Sequence, residues 1–70
     1  MQVILDYMEK HALTQKAFAD LVGVAQSMVS QWVSGERPIG AERAVIIEEK
    51  TKGGIKRQQL RPDIFNKRAA

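Results

Sequence analysis

Gly23 constrains this 70-residue chain more than any other position. It separates two short segments, 15–22 and 26–33, whose apolar residues recur at helical spacing. In the first, Ala17, Phe18, Leu21 and Val22 fall on an inner face, with Lys16 and Asp20 outside. In the second, at about 100° per residue, Val29, Trp32 and Val33 share one face, and Ser27, Ser30, Gln31 and Ser34 the other. Glycine enters the left-handed region without a Cβ clash, so the chain can stop one helix at Gly23 and turn sharply into the next. Ala19 is small where two such helices must approach closely. Thr14 stands where an N-cap belongs.

This spacing predicts a helix-turn-helix within an all-α domain of four to five short helices. The other helices are expected at 3–11, 41–50 or 51, and 55–60. Ile4, Leu5, Met8 and Ala12 form the inner face of the first. Glu36-Arg37-Pro38-Ile39-Gly40 reads as a loop, Gly53-Gly54 as the end of the fourth helix, and Arg61-Pro62 as a break after the fifth. A single domain over 1–65 with a loose basic tail at 66–70 is the expected organisation. Val45, Ile46 and Ile47 span about 200° of helix surface, wider than one core face. Their surplus is expected to meet either the chain's own Ile64-Phe65 or a second subunit.

Composition narrows the function classes. Without cysteine, neither disulfides nor a thiolate metal site can staple the fold. No apolar run approaches the roughly 20 residues of a membrane span, and the first residues do not read as a signal peptide. A cytoplasmic protein is expected. Net charge is +3, but unevenly placed: residues 1–35 hold Lys10 and Lys16 against Asp6, Glu9 and Asp20, whereas residues 36–70 hold nine Lys and Arg against five carboxylates. Such a bias suits either a solvated surface or phosphate contact. His11, the only histidine, sits at a helix end. There is no metal-ligand cluster, phosphate loop or nucleophile with a base, so neither catalysis nor a cofactor is expected.

In a helix-turn-helix the second helix enters the major groove of DNA. Gln26, at its tip, is the leading base-contact residue, followed by Ser27, Gln31 and Ser30. Met28 lies on the flank, and Phe18 and Trp32 are core anchors. Gln15, Lys16, Arg37 and Arg43 are the phosphate-contact candidates. For Lys56, Arg57 and Arg61, phosphate contact and plain solvation are equally expected. The helix 4 end and the 60–65 segment are a candidate dimer interface, carried by Ile46, Leu60, Ile64 and Phe65; docking of the tail on its own chain is the alternative.

The phrases Gly23-Val24, Gln26-Ser27, Val29-Ser30-Gln31-Trp32 and Ser34-Gly35 resemble the Cro/C1-type helix-turn-helix regulators of phages and bacteria. Pro38, Ala41-Glu42-Arg43, Ile47-Glu48 and Leu60-Arg61-Pro62-Asp63-Ile64-Phe65 are more narrowly similar to the YdaS/Cro subgroup. The resemblance covers residues 12–65. It implies a lambda-repressor-like domain and a transcriptional repressor that binds a pseudo-palindromic operator as a homodimer, without membrane or small-molecule ligand. An antitoxin-like autoregulator with a protein partner, and a helical interaction module without DNA binding, are the rival readings. Within this superfamily the C-terminal third varies most, and a short strand near Ile55 and Lys56 is the alternative to a fifth helix. Where these regulators often place Ser, Thr or Asp before the recognition helix, this chain has Ala25. Either Gln26 or Ser27 then caps the helix, or its N-terminus waits for a phosphate.

Overall fold

The computed structural model describes residues 2–65, which form five helices and no strand: α1 (Gln2–Lys10), α2 (Gln15–Val22), α3 (Gln26–Ser34), α4 (Ala41–Lys50) and α5 (Arg57–Leu60). The expected tail at 66–70 lies outside the described residues. All five helices contribute to one core: Ile4 and Met8 from α1, Phe18, Ala19 and Val22 from α2, Val29 and Trp32 from α3, Ala44 and Ile47 from α4, and Leu60 from α5. Two residues between helices, Ile39 and Ile55, are as deeply buried as any of these. They anchor the connections, so the loops are held from inside.

The helix-turn-helix forms as the spacing predicts. Thr14 Oγ1 accepts the Ala17 N–H at 3.0 Å and so starts α2. Gly23 adopts φ +77°, and the Gly23 and Val24 N–H groups both bond to the Ala19 carbonyl, at 2.8 and 3.0 Å. The same left-handed turn recurs at Gly35, φ +83°. These closures satisfy carbonyls that a helix end would otherwise orphan.

Two similar turns use residues with a Cβ. Ala12 and Lys52 both have φ +54°. Behind them, the Leu13 N–H reaches the Met8 carbonyl at 2.8 Å and the Gly53 N–H reaches the Glu48 carbonyl at 2.9 Å. An L-residue held there costs about 1–2 kcal/mol, part of which glycine's greater freedom in the unfolded chain offsets. Ala12→Gly is therefore expected to stabilise the fold by about 0.5–1 kcal/mol, read as a rise in the thermal midpoint. A fall would mean that the turn carries no strain.

The structure corrects several expected positions. Ala12 lies outside α1, which runs from Gln2 to Lys10. Leu5 and Leu21 are each 37% exposed, because Ile4 with Met8, and Phe18 with Val22, define the inner faces one position away. The fifth helix starts at Arg57 because the Ile55 N–H is already bonded to Thr51 Oγ1 at 3.1 Å, with Ile55 buried. Gln59 Oε1 then accepts the Lys56 N–H at 2.9 Å and opens α5. The buried Thr51 hydroxyl also donates to the Ile47 carbonyl at 2.7 Å, tying α4 to this connection.

Candidate nucleic-acid interface

On α3 the apolar residues and the outward residues occupy separate arcs. Val29 and Trp32 are buried, and Met28 and Val33 pack partly against the core. Gln26, Ser27 and Ser30 are exposed and Gln31 is half-buried. These four span roughly 140° of the circumference, enough to present one face to a groove. Helix α3 carries no charged side chain.

Ala25 occupies the N-cap position and no side chain caps α3. Neither Gln26 nor Ser27 replaces the missing cap. Their N–H groups, at the positive end of the helix, have no hydrogen-bond partner among the described residues. Gln15 and Lys16 open α2, whose cap is Thr14. Gln15 is half-buried; Lys16 is exposed and lies 3.7 Å from Asp20, a surface pair of little energetic weight.

The basic residues divide into two groups. Arg57 Nε bonds Glu48 Oε1 at 2.6 Å, and the Phe65 ring lies over its guanidinium, 5.6 Å from the centroid. Arg61 grips Asp63 through Nε and Nη2 at 3.0 and 2.8 Å and sends Nη1 to the Ile39 carbonyl at 2.7 Å. Both arginines are thus engaged within the fold, holding the last segment against α4 and the 36–40 loop. Lys10, Arg37, Arg43, Lys50, Lys52 and Lys56 form no ion pair among the described residues and supply the available positive charge.

The candidate dimer residues also divide. Leu60 is 3% exposed and belongs to the chain's own core, so it offers no surface to a partner. Phe65 packs against that core from outside. Ile46 is half-buried, and Ile64, at 47%, is the most exposed large apolar residue among the described residues. The 60–65 segment therefore docks on its own chain through two of its three candidate residues. The Arg57–Glu48 pair and the Arg61 bond to the Ile39 carbonyl were invisible in the sequence, because the partners lie nine and twenty-two positions apart, unlike Asp63, two residues from Arg61. No local periodicity signals such partners.

The Arg57 hydrogen bonds hold the Glu48 carboxyl below its usual range, and Arg61 does the same for Asp63. A carboxyl depressed in the folded state adds stability above its unfolded pKa and loses it as pH falls through the folded value. The thermal midpoint is therefore expected to be level near neutrality and to drop below about pH 4. Glu48→Gln should flatten that drop. An unchanged acid limb would show that the pair contributes nothing.

A tight glycine turn between two crossed helices, the second with a bare polar face, defines a small helix-turn-helix domain. The chain belongs to the YdaS family: the model described as bacterial toxin YdaS matches residues 11–69. It is 46% identical over 50 residues to the "Putative transcriptional regulator YdaS" of Escherichia coli (strain K12). The match covers 71% of this chain and 51% of the relative, so the chain spans about half that protein's length. No solved structure matches the chain. Among the described residues, no helix is long and apolar enough to cross a membrane.

Proposed function

We propose that this chain is a sequence-specific DNA-binding transcriptional regulator, a Cro-type repressor that lays α3 in the major groove. The observation that carries this reading is the outward arc of Gln26, Ser27, Ser30 and Gln31 on a helix whose N-terminus is uncapped. Polar side chains without charge suit base edges, and open N–H groups suit a phosphate. The name of the E. coli relative points the same way. Repression would act by occlusion, with neither catalysis, cofactor nor small-molecule ligand. With no Lys or Arg on α3, affinity comes from cations around it: Lys16, Arg37 and Arg43.

A salt titration tests the reading. Each neutralised phosphate adds about −0.9 to the slope of log affinity against log salt. Several such contacts are expected; absence of duplex binding would leave an interaction module. The family description favours a second reading, in which toxicity is the activity. Growth arrest that persists in a variant unable to bind duplex would support it.

The DNA-bound form is proposed to be a homodimer, which matches a two-fold operator. Ile46 and Ile64 are the residues left to carry the interface. Ile46→Glu should shift sedimentation toward monomer. An unchanged profile removes helix 4 from the interface.

A further inference from the structure

We propose that Arg37 is a specificity-positioning residue that fixes the Gln31 amide so that it presents N–H donors, and so selects guanine at one operator position. The proposal rests on the DNA-binding reading above. Arg37 Nε donates to Gln31 Oε1 at 2.9 Å. Arginine carries donors only, which assigns the amide: its oxygen turns toward Arg37 and its NH₂ turns away. The backbone brings the two side chains together. The left-handed turn at Gly35 folds the chain back so that the Glu36 and Arg37 N–H groups both bond to the Gln31 carbonyl, at 2.9 and 3.2 Å. Arg37 therefore meets Gln31 twice, once through backbone and once through side chain.

An unconstrained glutamine suits adenine, whose major-groove edge offers one acceptor and one donor. Here the oxygen that would accept from the adenine amino group already holds one bond and is turned toward Arg37, leaving the NH₂ as the end that faces away. The amide N–H groups and the adjacent guanidinium form a run of donors, which fits the two acceptors of guanine, N7 and O6. Arg37 has no ion-pair partner among the described residues, so no described carboxylate draws it away from Gln31 in the free protein.

Two measurements test this on the full chain. In the free protein, Arg37→Ala should release the Gln31 side-chain amide, read by NMR as a fall in its order. An amide already mobile before substitution overturns the positioning, whatever the chain binds. Duplexes are then selected from a random pool with the unaltered chain, Q31A and R37A. The position at which Q31A loses preference should be guanine for the unaltered chain, and R37A should lower that preference about tenfold or turn it toward adenine. Adenine at that position for the unaltered chain overturns the proposal. So does a uniform loss of affinity in R37A with every preference kept, since Arg37 would then be a phosphate contact alone. If the unaltered chain binds no duplex while the Gln31 amide is ordered through Arg37, the DNA-binding reading fails and the specificity falls with it, but the contact stands.

Discussion

Trp32→Ala is expected to cost about 3–5 kcal/mol and to leave much of the chain unfolded at 37 °C. Trp32 is the largest of the fully buried side chains, 2% exposed in a core shared by all five helices. Truncating it removes apolar contact and leaves a cavity that a 70-residue domain has little material to refill. A domain this small stands near the low end of the usual stability range, about 5 kcal/mol. One such loss therefore consumes most of it. Urea unfolding followed by circular dichroism reads the effect. A loss under about 1 kcal/mol would mean that Trp32 is not the anchor its burial implies.

Gln26→Ala is expected to leave stability unchanged and to weaken binding to a selected duplex by about 1–3 kcal/mol, with preference blurred at one base position. The two effects separate cleanly because Gln26 is exposed and makes no cap. Its outward position also sets it apart from Trp32, six residues further along the same helix. Competition binding with selected and random duplexes distinguishes the outcomes. Equal loss on both would reduce Gln26 to a backbone contact.

The helix-turn-helix was legible because its determinants are local. Thr14 caps three residues ahead, Gly23 and Gly35 turn where they stand, and Val29 and Trp32 are three apart on one face. The base-contact candidates followed from the same phase. Less legible was which of two adjacent apolar residues turns inward, as with Ile4 against Leu5. Tilt and neighbouring helices decide that, not periodicity. The C-terminal third was least legible. Its helix is only four residues long, and its place depends on Arg57 with Glu48, Arg61 with Asp63 and the Ile39 carbonyl, and the burial of Ile55. Apart from the Arg61–Asp63 pair, which is local, those are tertiary facts; they place Leu60 in the core and give Arg57 and Arg61, for which phosphate contact and solvation were equally expected, partners within the fold. Gln31 shows both sides: its face was readable, whereas its tie to Arg37 across the turn was not.

In the proposed function α3 meets DNA through its outward arc. The most direct test is an NMR titration of the amide resonances with a mixed-sequence duplex of two helical turns at low salt. Shifts are expected to concentrate at Gln26, Ser27, Ser30 and Gln31, at the start of α2, and at Arg37. Their absence, or shifts gathered instead at exposed residues away from α3 such as Leu5 and Ile64, would contradict it.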